Sequence, residues 1–128
     1  MPTSKSSVSI EAAPDDVFAF VRDVTNVPEY LAPIMSASAA GGDAVRTTVD
    51  VDGQATVEEA WFRVHEGHRH RVEWGAEGAG YHGWLEVDRE GEVASVTVEV
   101  HSERRTAEEL DRAVDAALFA LKGRIEQG

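Results

Sequence analysis

The chain contains no cysteine, which excludes a disulfide framework and any thiol nucleophile. Basic residues are scarce: 12 Lys and Arg stand against 24 Asp and Glu, for a net charge of -12. A field of that sign repels a nucleic-acid backbone or an anionic membrane. The weak basic clusters at Arg63, Arg69 and Arg71 and at Arg104 and Arg105 are diluted by Glu66, Glu73 and Glu103, so nucleic acid is excluded as a partner. No apolar run approaches the roughly 20 residues of a spanning helix. The opening MPTSKSSVSI also lacks the apolar stretch of a signal peptide. Membrane insertion is therefore not expected, and a cytoplasmic location is. No Ser-His-Asp order, phosphate loop or H-E-x-x-H motif occurs. The glycine-rich Gly75 to Gly80 stretch joins two strands and lacks the helix N-terminus that a phosphate site uses.

What is present is ordinary for a packed chain: 42% hydrophobic and 28% charged residues over 128 positions. That length suits a single domain over residues 1–128 with one core and at most a modest cavity. Residues 1–5 and 127–128 are expected to fray.

Val8 and Ile10 alternate with Ser7, Ser9 and Glu11, the period-two pattern of a half-buried strand. Pro14 suits the first position of a helix, Asp15 and Asp16 suit its positive end, and Val17, Phe18, Phe20 and Val21 supply its apolar face to about Asp23. A further helical turn or two is expected over Pro28 to Ala32, ended by Pro33. From Met35 onward the chain reads as strands. Ala44–Val51, Gln54–His65, His70–Trp74, Tyr81–Asp88 and Glu92–Ser102 are separated by glycine-containing turns, of which Asp52-Gly53 is the clearest hairpin signal. Thr106 and Glu109 form a capping-box pattern. Leu110, Val114, Ala117, Leu118, Leu121 and Ile125 then recur at helical spacing as one apolar stripe, flanked by the small Ala113, Ala116 and Ala120.

The order is thus β, α, α, an antiparallel meander, and a long α: an α+β chain. A sheet with one apolar face needs a cover, and the C-terminal stripe supplies it. The stretch V-S-I-E-A-A-P-D-D-V-F-A-F-V-R-D-V-T-N-V-P-E-Y-L, from Val8 to Leu31, resembles the opening of the START/SRPBCC (Bet v 1-like) superfamily. Asp23-Val24 and Pro28-Glu29-Tyr30-Leu31 look closest to its polyketide-cyclase/coenzyme-Q-binding branch. The resemblance implies a helix-grip fold: a curved antiparallel sheet of six or seven strands wrapped around a long C-terminal helix, with two short helices after the first strand. It also implies a hydrophobic ligand, such as a polyketide, aromatic, isoprenoid or lipid-like molecule, held in an internal cavity. It does not fix a reaction, since the superfamily holds enzymes, carriers and receptors. The gate-loop motifs of the plant hormone receptors and the ligand spacing of an iron–sulfur centre are absent.

Strand parity proposes the faces. Val96, Val98 and Val100 point inward, as do Tyr81, Gly83, Leu85 and Val87, then His70, Val72 and Trp74, and then Glu58, Ala60, Phe62 and Val64. Phe62, Trp74, Tyr81, Leu85, Val98, Val114, Leu118 and Leu121 are accordingly the candidate ligand-binding residues. Glu58, His70 and Tyr81 are the candidate acid–base residues, because a desolvated carboxyl rises in pKa and histidine titrates near neutrality. The alternative is that Glu58 and His70 are solvated at strand ends and Tyr81 only caps the cavity mouth. His65, His68 and His70 surround one turn, but a metal needs three or four converging ligands. Surface histidines are the commoner arrangement, so no metal and no cofactor is expected. Trp61 and Trp84 read as outward-facing. They either form an apolar patch for a homodimer or lie half-covered by long side chains such as Arg63 and Arg71.

Three functions remain open. A carrier or binding module predicts a mostly apolar cavity. A polyketide cyclase, aromatase or dehydratase predicts convergent acid–base groups inside it. A protein-interaction domain predicts a filled interior.

Overall fold

The computed structural model describes residues 2–31, 34–51, 53–65, 70–76, 80–103 and 105–127. Among the described residues seven strands form one antiparallel sheet: β1 (Thr3–Ile10), β2 (Ile34–Gly41), β3 (Ala44–Val51), β4 (Gln54–His65), β5 (His70–Ala76), β6 (Tyr81–Glu90) and β7 (Val93–Ser102). The spatial order is β1-β7-β6-β5-β4-β3-β2, a meander from β2 to β7 closed on its far side by β1. Between β1 and β2 lie a helix, α1 (Pro14–Val21), and a 3-10 segment, Val24–Glu29; α2 (Ala107–Glu126) ends the chain. This is the helix-grip arrangement anticipated from element order.

Local chemistry accounts for most boundaries. The two-residue connection from Glu90 to Val93 requires a left-handed residue, and Gly91 supplies it with φ +64°. Thr106 caps α2 reciprocally with Glu109: the Glu109 amide donates to the Thr106 hydroxyl at 3.2 Å and the Thr106 amide to the Glu109 carboxylate at 3.0 Å. The C-terminal end of α2 is tied to β1. Lys122 donates to the Ser9 carbonyl at 2.7 Å, and Glu126 accepts from the Glu11 amide at 2.8 Å.

One expectation is corrected. The second helical segment begins at Val24, four residues before Pro28. Asp23 starts it by accepting from the Thr25 amide at 3.0 Å and the Thr25 hydroxyl at 2.7 Å. The absent N–H of Pro28 breaks nothing there, because the turn's bonds run from Asn26 to Asp23 and from Tyr30 and Leu31 to Val27. At the N-terminus Thr3–Lys5 pair in register with Glu99–His101, and Ser4 donates to Asp111 of α2.

The parity assignments hold along β7, where Ala94, Val96, Val98, Val100 and Ser102 alternate as the buried set. The register irregularities are confined to the β2–β3 pair, so nothing reverses the faces of β4 to β7. The tightest packing lies where α1 and the C-terminal half of α2 meet the sheet. Ile10, Val17, Val21, Val72, Leu85, Val96 and Leu121 are all 1% exposed or less.

Candidate functional site

The inner face is not filled along its whole width. A cavity of about 250 Å³ lies between the inner face of β2–β7, the 3-10 segment and the N-terminal half of α2. Val24, Val27 and Leu31 close one side, and Ala37, Val45, Val49, Ala60 and Phe62 form the floor. Leu110, Ala113, Val114 and Ala117 form the roof. The alanines explain the space. Leu110, Val114 and Leu118 reach the core from α2, while Ala113 and Ala117 leave room above the sheet.

Of the eight candidate ligand residues, Phe62, Trp74, Tyr81, Val98 and Val114 line this cavity. Leu85, Leu118 and Leu121 are packed into the neighbouring core instead, 1% to 4% exposed. The three acid–base candidates are not brought together. Tyr81 lines the cavity; Glu58 also borders it, as an exposed residue. His70 points inward but lies beyond the cavity, stacked on Phe18 of α1 with ring centres 4.6 Å apart. There it borders a separate cleft with Asp15, Ala19 and Arg22.

Tyr81 owes its position to a glycine. The Trp74 indole lies flat over Gly83, where an added Cβ would come within 2.9 Å of the ring. That placement lets the Trp74 ring N–H donate to the Tyr81 hydroxyl at 3.2 Å. Burial is the chief effect on this phenol and pushes its pKa above the ordinary tyrosine value. The Trp74 hydrogen bond and the Arg105 charge pull the other way. Tyr81 is therefore a neutral hydroxyl at neutral pH, already accepting from Trp74 and still carrying its own proton.

Sequence reasoning missed three polar groups around the cavity. Ser102, 3% exposed, extends the inward parity of β7 by one step and faces Tyr81 across the strand pair. Thr47, 6% exposed, spends its hydroxyl on the Glu58 carbonyl at 3.0 Å. Arg105 precedes α2 and borders the cavity. Parity could have found the first two. Nothing in the sequence aims Arg105.

On the outer face each tryptophan is half-buried under a cation. Arg63 sits 4.6 Å from the Trp61 ring centre, and Trp61 itself packs over Gly75. Arg71 sits 4.3 Å from Trp84 and Lys5 5.5 Å from it on the same ring, while the Trp84 N–H donates to Glu99 at 2.6 Å. Arg71 also pairs with Glu86 at 2.7 Å, which explains why an outward carboxylate is only 7% exposed. Of the turn histidines, His68 lies outside the described residues. His65 faces outward to Glu73 at 3.3 Å, on the opposite side of the sheet from His70. Among the described residues no group of three or more potential metal ligands converges, and no helix is long and apolar enough to cross a membrane.

The sequence model of one protein family, described as polyketide cyclase / dehydrase and lipid transport, matches residues 1–128. No curated protein matches the chain. Among solved structures it resembles a START superfamily protein from Mycobacterium smegmatis, at 14% identity and a TM-score of 0.75, covering 98% of this chain and 97% of that one. A Deinococcus radiodurans protein aligns over 100% of this chain and 99% of its own at 18% identity, with a TM-score of 0.76. The di-domain aromatase/cyclase BexL of the BE-7585A biosynthetic pathway aligns at 19% identity and a TM-score of 0.70. That alignment covers 98% of this chain but 47% of BexL, one domain's worth.

Proposed function

The chain belongs to the polyketide cyclase/dehydrase and lipid-transport family of START-like domains, and from that premise we propose that it binds a small hydrophobic molecule in the cavity beneath α2. The observation that carries the reading is the cavity itself: about 250 Å³, walled by aliphatic and aromatic side chains and bordered by a few polar ones. Its volume lies just below the roughly 300–1,000 Å³ of typical ligand clefts, which suits a ligand of one or two rings or a short chain. A carrier needs no more than this. A filled interaction domain would have no such space.

Catalysis is the second reading, favoured by the Tyr81 hydroxyl held inside the cavity. In a cyclase or dehydratase Tyr81 would protonate a carbonyl or enolate oxygen, with Glu58 at the cavity border as the nearest carboxylate. Glu58 is solvated and His70 belongs to another cleft, so the complete acid–base set expected from sequence is not assembled. Binding is therefore the stronger reading.

Native mass spectrometry of the purified protein, set against its denatured mass, tests the proposal. A reproducible added mass lost on denaturation identifies a ligand. An empty protein that also fails to take up a fluorescent apolar probe overturns the binding reading. Tyr81→Phe then separates the two readings: a carrier keeps its ligand affinity within about tenfold, while a cyclase keeps binding and loses turnover.

A further inference from the structure

The cavity has a chemical direction. Tyr81, Ser102 and Arg105 border it on the β6–β7 side, and Glu58 borders it on the β4 side. In the sheet Glu58 and Tyr81 are two inter-strand spacings apart and offset by two residues along the strands, roughly 12 Å between backbones. One pole therefore offers donors: the phenolic O–H of Tyr81, whose oxygen already accepts from Trp74, and the guanidinium of Arg105. The other pole carries a carboxylate. The walls between them are apolar. Resting on the binding reading above, we infer that the ligand is a small amphipathic monocarboxylic acid, bound with its carboxylate at Tyr81 and Arg105 and its apolar body toward Phe62 and Val45.

The physical case rests on geometry and charge. A guanidinium presents paired N–H groups that match the two oxygens of a carboxylate, and a phenol adds a neutral donor beside them. Glu58 penalises the reversed orientation, because the ligand's anion would face a second carboxylate. The overall charge of -12 makes an anion's approach slower at low salt. Arg105 is the local exception, placed where α2 begins. Its neighbour Glu109 is already bonded to the Thr106 amide at 3.0 Å, which leaves that carboxylate committed to the helix cap.

The test uses matched probes on the full-length protein: 2-naphthoic acid, its methyl ester and 2-naphthalenemethanol, each titrated by intrinsic fluorescence. Displacement of a bound apolar fluorophore provides a second readout. The inference predicts that the acid binds about tenfold or more tighter than the ester or alcohol, the scale of a charge-assisted hydrogen bond. R105Q should remove that preference by weakening the acid about tenfold and the ester far less, and R105K should restore part of it. Equal affinity for acid and ester in the wild type overturns the carboxylate assignment and leaves the cavity reading standing. So does an R105Q effect that falls equally on both probes. Failure of all three probes and of the apolar fluorophore itself to bind overturns the cavity reading as well.

Discussion

One inner face serves two purposes in this molecule, and its two sides differ in how they are filled. Beneath α1 and the C-terminal half of α2, large branched side chains interlock, and Val72, Leu85, Val96 and Leu121 are 1% exposed or less. Toward β2–β4, the same sheet carries Ala37, Val45 and Ala60 below Ala113 and Ala117, and space remains between them. Part of the contrast comes from side-chain volume along a single helix: Leu118 and Leu121 fill one side, while Ala113 and Ala117, beside Leu110 and Val114, leave room on the other. The inward side of β4 begins with the exposed Thr56 and Glu58, and β2 is exposed along most of its length. That side of the sheet therefore gains little stability from its own contacts. The filled half holds the fold, and the hollow half is free to be a site.

Truncation should separate the halves most clearly. Leu85→Ala or Leu121→Ala opens a void in the filled half and should cost about 2–5 kcal/mol of unfolding free energy. Phe62→Ala removes a half-buried ring from the wall of a space that already exists and should cost less, about 1–2 kcal/mol, while changing ligand affinity. Urea denaturation of the three variants measures this. Comparable losses at Leu85 and Phe62 would mean that the two halves are packed alike.

The boundary between the halves is Gly83. An alanine there would press its Cβ to 2.9 Å from both the Trp74 ring and the Glu99 carbonyl, and the second contact is backbone that does not yield. Gly83→Ala should therefore destabilise by about 1–3 kcal/mol and also weaken ligand binding, because Trp74 carries Tyr81 with it. Near-ultraviolet circular dichroism, which reports the indole environments, should change along with the melt. An unchanged spectrum would show that Trp74 does not depend on Gly83.

Alkali should act on both sides, through one buried tyrosine in each. Tyr30, 3% exposed, donates its hydroxyl to the Val21 carbonyl at 3.2 Å; its pKa is raised well above the usual value, chiefly by burial and then by the charge of Asp23. Tyr81, on the cavity wall, is raised too, again chiefly by burial. A group whose folded pKa is raised holds its proton more tightly when folded. The stability this contributes is complete below the ordinary tyrosine value of about 10 and declines as pH climbs above it. Melting temperatures should thus fall above pH 10. Tyr30→Phe should shrink that fall at the cost of about 1 kcal/mol at neutral pH for the lost hydrogen bond. An identical alkaline profile in the variant would remove Tyr30 from the account.

Which side chains face inward was legible in the sequence and the outline of the cavity among them was not, for a physical reason. Alternation in β7 and the stripe in α2 record burial, because burial selects for apolar side chains at a fixed period. Val96, Val98, Val100, Leu110 and Leu121 could be placed without coordinates. A cavity leaves no period of its own. Leu118 and Val114 look alike in sequence, yet Val114 borders the cavity and Leu118 is packed in the core. His70 obeyed parity and still missed the site, because parity gives a face and not a position along it. Arg105 sits in the short turn before the helix cap, where no periodicity aims a side chain.

Filling the cavity is the gentlest change and the sharpest test of its purpose. Ala113 is half-buried on the roof, and a leucine there would extend into the space without displacing a packed neighbour. In a filled core the same enlargement costs roughly 1–3 kcal/mol. In an empty apolar space it adds buried surface worth up to about 2 kcal/mol, offset by side-chain ordering and imperfect fit. Ala113→Leu should therefore leave stability within about 1 kcal/mol of the parent, on either side, while abolishing uptake of an apolar fluorophore. The pairing of the two results carries the argument. Stability kept and binding lost mean that the volume exists for a ligand. Stability lost by several kcal/mol would mean that the hollow half is as tightly packed as the filled one, and that the alanines of α2 are there for close approach of the helix to the sheet.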